Sequence, residues 1–323
     1  MNKDFIVFAL SASSELADEI CDYLGVRRGR IKVEHFADGE IIVEPEESVR
    51  GKHVFIVQST SAPTSSTVME VLIALDACNR ASASEVTVVM PYFGYARQDR
   101  KARARQPISA RLMADLYEAA GANRMVTIDL HAPQIQGFFK IPTDDLSIVS
   151  MFGQYFRNKM ADGQIKNEIV VVSPDHGGAT RARKLADTIP NSTVALIDKR
   201  RSKPNEAEAV NLIGDVRNKT AIIVDDMIDT GGSMVAGVDM LLANGATAVY
   251  AACSHGILSG SAIERIETSQ IKELVVSNSI NLSNEAKNVD KIKQISVAYM
   301  LAKTIEAINE RTPVSNIYSL FND

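Results

Sequence analysis

One stretch of the chain, residues 220–245, combines a strand pattern, a polar loop and a helix pattern. Residues 221–224 are apolar without alternation, which is typical of a strand covered on both faces in a parallel sheet. Asp225 and Asp226 follow this run, and we expect the strand to end at them. Apolar residues at helical spacing then continue to Gly245, a residue that suits the end of a helix. The stretch therefore predicts a strand, an acidic and glycine-rich loop, and a helix.

The loop reads DTGGS and covers residues 229–233. Gly231 and Gly232 allow backbone amides to approach an anion, and Thr230 and Ser233 add hydroxyls at the positive N-terminus of a helix. A phosphate group suits such a loop. The two preceding carboxylates repel phosphate but accept hydrogen bonds from vicinal hydroxyls. The stretch thus indicates a sugar phosphate, or a metal ion held near one, while a plain capped turn between strand and helix stays open as the alternative.

Size and charge exclude several classes of protein. A chain of 323 residues with 46% hydrophobic content can form two domains, each with its own core. The 35 basic and 40 acidic residues give a net charge of −5, which argues against a general nucleic-acid or membrane-surface protein. No apolar run approaches the roughly 20 residues of a membrane span, so we expect a soluble protein.

The cysteines indicate a reducing compartment. Cys21, Cys78 and Cys253 are odd in number, lie far apart and have no CxxC spacing. Such a set predicts neither a disulfide framework nor a zinc site. We therefore expect a cytoplasmic protein.

Strand patterns alternate with helix patterns twice along the chain, which predicts an α/β fold with mainly parallel sheets flanked by helices. The two series meet near residues 142–147. We predict an N-terminal domain over 1–145 and a C-terminal domain over 146–294, with a last helix at about 295–323 that can pack back on the N-terminal domain. The predicted helices cover residues 13–24, 68–80, 108–120, 179–187, 263–267 and 297–310.

Polar residues recur where the predicted strands end. In open α/β sheets ligands bind beyond the carboxyl ends of the strands. A single polar residue there is usually a turn or a cap, but charged groups at several strand ends favour a ligand-binding edge. The segments concerned are 58–60, 92–99, 129–131, 173–175, 198–200 and 225–226.

A basic segment follows one of these strand ends and has poor apolar periodicity. Three interpretations apply: a solvated surface loop, a nucleic-acid contact, or a lid that closes over polyphosphate. Aromatic residues are too sparse in the segment for a convincing nucleic-acid site. We favour the lid, because mobile cations neutralise charge and exclude water. The segment carries Arg97, Arg100, Lys101, Arg103 and Arg105, offset only by Asp99.

Two hairpins and one histidine complete the candidates. Residues 193–215 predict two strands in which Lys199 and Arg201 face one side, either as solubilising edge charges or as a clamp on a transferring phosphoryl group. Asp38 and Gly39 predict a second hairpin turn. His131 is interpretable as a core histidine, a metal ligand or a charge partner, and its spacing does not decide.

Eight segments in the correct order closely resemble the ribose-phosphate diphosphokinase family, also called phosphoribosyl-pyrophosphate synthetases. The resemblance implies two phosphoribosyltransferase-like domains and a homohexamer that binds ATP partly across a subunit interface. The seventh segment alone would leave the phosphoribosyltransferases open. The segments are FADGE, VRGKHVFIVQSTSAP, PYFGYARQDRKARARQPIS, DLHAPQIQGFF, VVSPDHGG, IDKRR, IIVDDMIDTGGS and SHGILSG.

The resemblance also implies a role for each matched residue. The ATP-binding residues are a hairpin contributed by a neighbouring subunit and a contacting pair, namely Phe36, Asp38, Gly39, Glu40, Arg97 and Gln98. The flexible catalytic loop includes Arg100, Lys101 and Arg103, and the positions associated with Mg²⁺ are His131 and Asp175. The catalytic pair is Lys199 and Arg201. The ribose 5-phosphate site comprises Arg201, Asp225, Asp226, Asp229, Thr230, Gly231, Gly232 and Ser233.

By this resemblance, the enzyme transfers the β,γ-diphosphoryl group of MgATP to the C1 hydroxyl of ribose 5-phosphate and releases AMP. A phosphoribosyltransferase is one alternative, but it leaves the doubled architecture and the basic segments unexplained. A catalytically silent, synthetase-associated regulatory protein is another. Retention of Lys199, Arg201, His131 and Asp175 argues against silence.

Overall fold

The computed structural model describes residues 5–200 and 209–321, and the chain divides into two compact units. The first unit contains the chain up to Ser147 together with Asn278–Asn281 and Ser296–Ile317. The second contains Ile148–Ser277 and Leu282–Ile295. Each unit has its own sheet and its own apolar core, which confirms the predicted α/β class.

The first unit is built on a five-stranded parallel sheet in the order β1-β4-β5-β6-β7, with β2 and β3 in an antiparallel sheet of their own. Short 3-10 turns cover Ser11–Ser13 and Pro133–Phe138. The other elements are β1 (Phe5–Ala9), α1 (Ser14–Leu24), β2 (Ile31–His35), β3 (Ile41–Pro45), β4 (His53–Val57), α2 (Thr64–Arg80), β5 (Glu85–Met90), α3 (Ser109–Ala119), β6 (Arg124–Ile128) and β7 (Thr143–Leu146).

The second unit has a seven-stranded sheet in the order β10-β9-β8-β11-β12-β13-β14, and β10 is its antiparallel edge. Its elements are α4 (Val149–Ala161), β8 (Ile169–Ser173), α5 (Ala179–Asp187), β9 (Thr193–Arg200), β10 (Ala209–Ile213), β11 (Thr220–Ile228), α6 (Gly232–Ala243), β12 (Ala248–Gly256), α7 (Ala262–Thr268), β13 (Glu273–Ser277), α8 (Asn284–Lys287) and β14 (Ile292–Ile295).

The central strands are apolar on both faces because helices cover the sheets. Val54, Ile56 and Val88 are fully buried in the first unit, and Ile222 and Ile223 in the second. Such continuous burial is the reason that these strands lack alternation in sequence. Among the described residues, no helix is long and apolar enough to cross a membrane.

The last helix belongs to the first unit. It is α9 (Ala298–Glu310), which packs on α1 and is followed by a 3-10 turn at Val314–Phe321. The rings of Tyr23 and Tyr299 meet edge to face with centroids 5.3 Å apart. Asn278 Oδ1 accepts a hydrogen bond from the Val297 amide at 2.8 Å, which fixes the start of the helix. The two later segments of the first unit, Asn278–Asn281 and Ser296–Ile317, are thus joined to each other by this hydrogen bond.

The two units follow one plan. Strands β1-β4-β5-β6-β7 and β8-β11-β12-β13-β14 occupy the same order, and a hairpin follows the first helix of each series. The hairpins differ in their attachment. The β9–β10 hairpin joins the main sheet of its unit through β8, whereas β2 and β3 form a separate two-stranded sheet. The alternation of strand and helix patterns that occurs twice in the sequence therefore corresponds to a repeated architecture.

One strand boundary was predicted wrongly. We expected β11 to end at Asp225 and Asp226, but it runs to Ile228. The reason is that β12 continues beside it, so that Met227 pairs with His255 and Ile228 with Gly256. The two carboxylates therefore lie within the strand and not in the loop.

Candidate functional site

The DTGGS loop connects the carboxyl end of β11 to the N-terminus of α6, as the sequence predicts. Gly231 is the N-cap of α6 and has φ +74°, a left-handed conformation that glycine adopts without a steric penalty. The first amides of α6 have no partner within the helix and are available to an anion. At the other end of the helix, Gly245 has φ +92°, which confirms the predicted stop.

Beside the loop, one arginine contacts both carboxylates of the acidic pair. Nη1 of Arg181 lies 3.3 Å from Oδ1 of Asp225 and 3.4 Å from Oδ1 of Asp226. Arg181 reaches them from the first turns of α5, which follows the neighbouring strand β8. The sequence predicted the helix at residues 179–187 but did not reveal this contact. A signal was present, since β8 and β11 are adjacent strands whose carboxyl ends meet.

The carboxyl of Asp225 binds its proton unusually tightly. Burial, the charge of Asp226 and a hydrogen bond with Asp226 raise the pKa of Asp225 to about 7, and the opposing charge of Arg181 only partly offsets them. Asp226 is itself only 5% exposed. Near neutral pH, Asp225 is therefore present in both protonation states. The protonated form donates a hydrogen bond to Asp226, and the carboxylate accepts hydrogen bonds from Arg181 and from the Asp226 amide.

This pKa predicts the pH dependence of stability for Asp225→Asn. The pKa of this carboxyl is 3.8 in the unfolded chain and about 7 in the folded protein. The raised pKa therefore stabilises the folded protein fully below about pH 4, and this contribution is lost as the pH rises through 7. Asparagine stays neutral, so we expect the stability of the variant relative to wild type to improve by about 1–2 kcal/mol between pH 5.5 and pH 8.

Thermal melting at the two pH values measures this change. Asp239, an exposed aspartate on α6, provides the control variant Asp239→Asn, which removes a carboxyl from the same unit away from Asp226 and Arg181. The expectation fails if Asp225→Asn differs from wild type by the same amount at both pH values.

Two further residues contact the loop, one from the connection between β12 and α7 and one from α7 itself. The Ser259 hydroxyl donates a hydrogen bond to the Asp229 carboxylate, and Arg265 Nη1 donates to the Thr230 carbonyl oxygen at 2.9 Å. Sequence reasoning assigned neither residue a role. The available signal was the motif SHGILSG, which begins within β12, the strand next to β11.

One catalytic candidate, Lys199, belongs to β9, the strand next to the edge strand β10 of the same sheet. The predicted hairpin is confirmed for its two strands, with Lys199 paired to Val210 and Asp198 to Asn211 in antiparallel register. Arg201 and the side chain of Lys199 lie outside the described residues. Their roles stay predictions.

The magnesium candidates follow strand ends, one in each unit. His131 comes just after β6 and is exposed. Asp175 comes just after β8, is exposed, and accepts the Gly178 amide through Oδ1 at 2.9 Å. Its neighbour His176 places Nδ1 3.7 Å from Asp198 Oδ1. The described residues contain no cluster of three or more His, Cys, Asp or Glu side chains able to hold a metal.

In the first unit the hairpin turn predicted at Asp38 and Gly39 is present, between β2 and β3; its role in binding adenine stays a prediction. The Phe36 amide donates to the Glu40 carbonyl at 2.8 Å, and the Glu40 amide donates to Asp38 Oδ1 at 3.1 Å. Gly39 has φ +96° in the turn. The ring of Phe36 is 54% exposed, which is unusual for an aromatic side chain. A large apolar face at the tip of a tight hairpin is available to a planar ligand.

The basic segment lies on the surface of the first unit. Arg97, Gln98, Arg100, Lys101 and Arg103 are all exposed. The Gln98 carbonyl accepts the Ala110 amide at 3.2 Å, and its side-chain oxygen accepts the Ser109 hydroxyl at the start of α3. Beyond Gln98, Asp99 Oδ2 accepts Gln134 Nε2 at 2.9 Å.

One strand end predicted as part of a ligand-binding edge is instead structural. Gln58, Ser59 and Thr60 are at most 1% exposed. Gln58 Nε2 donates to the buried Glu70 carboxylate at 2.8 Å, and Gln58 Oε1 accepts the Ala12 amide at 3.0 Å. The Gln58 side chain is satisfied by these two contacts, which join the end of β4 to the turn at Ser11–Ser13 and to α2.

Comparison with known proteins gives consistent matches over the whole chain. Residues 5–121 match the family described as "N-terminal domain of ribose phosphate pyrophosphokinase", and residues 182–319 match the "phosphoribosyl synthetase-associated domain". The chain is 51% identical to ribose-phosphate pyrophosphokinase of Bacillus subtilis over 318 residues, which is 98% of each chain. It is 53% identical to the Bacillus caldolyticus enzyme over 97% of each chain. The crystal structure of phosphoribosylpyrophosphate synthetase from Mycobacterium smegmatis superposes with a TM-score of 0.90 at 40% identity, covering 96% of this chain and 100% of that one.

Proposed function

The chain belongs to the ribose-phosphate pyrophosphokinase family, and from this membership we infer that it transfers the β,γ-diphosphoryl group of ATP to the C1 hydroxyl of ribose 5-phosphate. The products are phosphoribosyl pyrophosphate and AMP. One observation of the structure supports the sugar-phosphate half of this function: the DTGGS loop lies at the N-terminus of α6, directly after a strand that carries Asp225 and Asp226. Phosphate and vicinal hydroxyls are thereby recognised side by side.

In the proposed reaction the C1 oxygen of the sugar attacks the β-phosphorus of ATP, the bond from that phosphorus to the α–β bridging oxygen breaks, and AMP leaves. Residues 229–233 hold the 5-phosphate, while Asp225 and Asp226 accept hydrogen bonds from the ribose hydroxyls. Lys199 and Arg201 stabilise the charge on the transferring group. The protein contributes mainly positioning and electrostatic stabilisation, as in other phosphoryl transfers.

The ATP side of the reaction is assigned to the first unit. We propose that Phe36, Asp38, Gly39 and Glu40 bind the adenine of ATP held by a neighbouring subunit in a homohexamer, because the exposed Phe36 ring offers a stacking face. Arg97 and Gln98 contact the nucleotide. Arg100, Lys101 and Arg103 lie in the flexible loop and neutralise the polyphosphate. Light scattering of the purified protein tests the hexamer.

Mg²⁺ is proposed as the metal that accompanies ATP. The exposed carboxylate of Asp175 is a hard oxygen ligand of the kind that Mg²⁺ prefers, while the His131 imidazole suits a hydrogen bond to a metal-bound water. Mg²⁺ usually keeps several waters and binds substrate phosphates, so the lack of a three-residue cluster among the described side chains is compatible with it. When bound, the metal neutralises charge on the phosphate oxygens.

Several partners are excluded in this proposal, and the compartment is assigned. Cys21, Cys78 and Cys253 are free and buried, and burial raises the pKa of each thiol, so all three suit a reducing cytoplasm. The basic loop is assigned to ATP. We therefore propose a cytoplasmic enzyme that binds neither nucleic acid nor membrane.

One assay tests the proposed function. Protein is mixed with MgATP and ribose 5-phosphate, and the phosphorus resonances are followed over time. AMP together with phosphoribosyl pyrophosphate is the expected result. Formation of ADP would indicate ordinary kinase chemistry, and no turnover would favour the regulatory protein; either outcome rejects the proposal.

A further inference from the structure

Three consecutive carbonyl groups at the end of β11 are all bound from the same side of the strand. The Ile228 carbonyl accepts the amides of Ile257 and Leu258 at 3.0 and 3.1 Å, and the Asp229 carbonyl accepts the Ser259 amide at 3.0 Å. The third, that of Thr230, accepts Nη1 of Arg265 at 2.9 Å. Every donor belongs to the connection between β12 and α7 or to α7 itself.

The planarity of the peptide bond gives these contacts a consequence. In a trans peptide the N–H group points away from the preceding carbonyl oxygen. Fixing the Thr230 carbonyl toward α7 therefore turns the Gly231 amide away from α7, and fixing the Asp229 carbonyl does the same for the Thr230 amide. These two amides therefore turn to the side of the loop opposite the donors of the β12–α7 connection and α7.

Arg265 is suited to this task because it combines reach with a permanent charge. Its Nη1 atom lies 3.4 Å from where a Cβ of Gly232 would stand, so the guanidinium lies directly behind the loop. Thr230 is the only loop residue whose carbonyl it binds among the described contacts. A charged donor polarises the peptide and strengthens the amide on its other side as an anion-binding group.

The Ser259 hydroxyl complements this arrangement. It donates to the carboxylate of Asp229, the residue that opens the loop, while its own amide binds the carbonyl of the same residue. One residue thus fixes both the backbone and the side chain of Asp229. The carboxylate is held against Ser259 and is kept from turning toward the bound phosphate.

We propose that Arg265 and Ser259 are positioning residues for ribose 5-phosphate: they hold the backbone of Asp229 and Thr230 so that the amides of Thr230 and Gly231 face the 5-phosphate. The proposal rests on the proposed function of the loop. Neither side chain touches the substrate, and Arg265 acts through the Thr230 peptide.

Substitution of Arg265 tests this proposal through the kinetics of each substrate. We expect Arg265→Ala to raise KM for ribose 5-phosphate about tenfold or more, with KM for MgATP unchanged and kcat within about threefold of wild type. Arg265→Lys, which retains a charged donor, should recover part of the loss. Hydrogen exchange of a peptide spanning residues 226–235 should be faster in free Arg265→Ala than in wild type.

The matched control removes another exposed arginine from the same unit. Arg217 binds Asp215 and precedes β11, at the opposite end of that strand, so Arg217→Ala should leave both KM values at wild-type levels. An unchanged KM for ribose 5-phosphate in Arg265→Ala overturns the proposal. Equal increases in both KM values overturn it as well, because they signal general damage. A wild-type enzyme that makes no AMP rejects the proposed function instead.

Discussion

Replacing Lys199 with alanine is expected to lower kcat by at least about 10³-fold, because cations that stabilise a transferring phosphoryl group contribute about 10³–10⁵ in related enzymes. KM for ribose 5-phosphate should change by less than about threefold, since the proposed binding site of the 5-phosphate is the loop after β11. Arg201→Ala should show a similar loss of kcat. Steady-state rates of AMP formation measure both constants.

Lys184→Ala is the matched control for this prediction. Lys184 is exposed on α5 in the same unit and has no proposed role, so the variant should turn over at the wild-type rate. A wild-type kcat in Lys199→Ala would refute its catalytic assignment. A large increase in KM for ribose 5-phosphate with normal kcat would instead make Lys199 a substrate-binding residue.

The second large effect is expected from Ser233→Asp. Ser233 is exposed in the first turn of α6, where an added carboxylate would stand beside the proposed site of the 5-phosphate. Repulsion between charges about 4 Å apart is worth about 4 kcal/mol near a protein surface, so KM for ribose 5-phosphate should rise at least about 100-fold. The free enzyme should not be destabilised, because an acidic residue in the first turn of a helix contributes about 0.3–1 kcal/mol of stability.

The opposite signs of these two effects make the experiment decisive. Thermal melting without substrate and KM for ribose 5-phosphate are measured on the same preparation. Ser150→Asp, a change at the corresponding position of α4, is the control and should leave both KM values unaltered. If Ser233→Asp binds ribose 5-phosphate normally, the phosphate does not lie at the N-terminus of α6.

Much of the fold was predictable because its strands are buried on both faces. The unbroken apolar run at residues 221–224 identifies a central strand, and helix α5 begins and ends at the predicted residues, Ala179 and Asp187. Strand β7 was not recognised, since TDDL is acidic and only partly buried. Strand β14 was missed for a related reason: two of its four side chains are exposed at the edge of the sheet. Edge strands carry too few apolar residues to be distinguished from loops.

For the candidate site, local chemistry was predictable and its supports were not. The sequence order of Asp225, Asp226 and the two glycines predicts that carboxylates and backbone amides lie side by side at the candidate site. Arg181 and Arg265 come from other segments, and only the adjacency of β8, β11 and β12 brings them to the loop. The burial of Gln58 was not predictable either. Its partner Glu70 lies in α2, and the sequence does not fix the start of that helix closely enough to show which face carries Glu70.

The different attachment of the two hairpins has a consequence for how a repeated module acquires a second task. In the second unit β9 is hydrogen-bonded to β8, so any shift of that hairpin would disturb the sheet that carries the sugar-phosphate loop. The β2–β3 hairpin is a separate sheet that packs on α2, so a change at its tip near Phe36 leaves the five-stranded sheet of its unit unaltered. A change in the second hairpin is thus coupled to the sheet that carries the DTGGS loop, whereas a change at the tip of the first hairpin is not coupled to the five-stranded sheet of its unit.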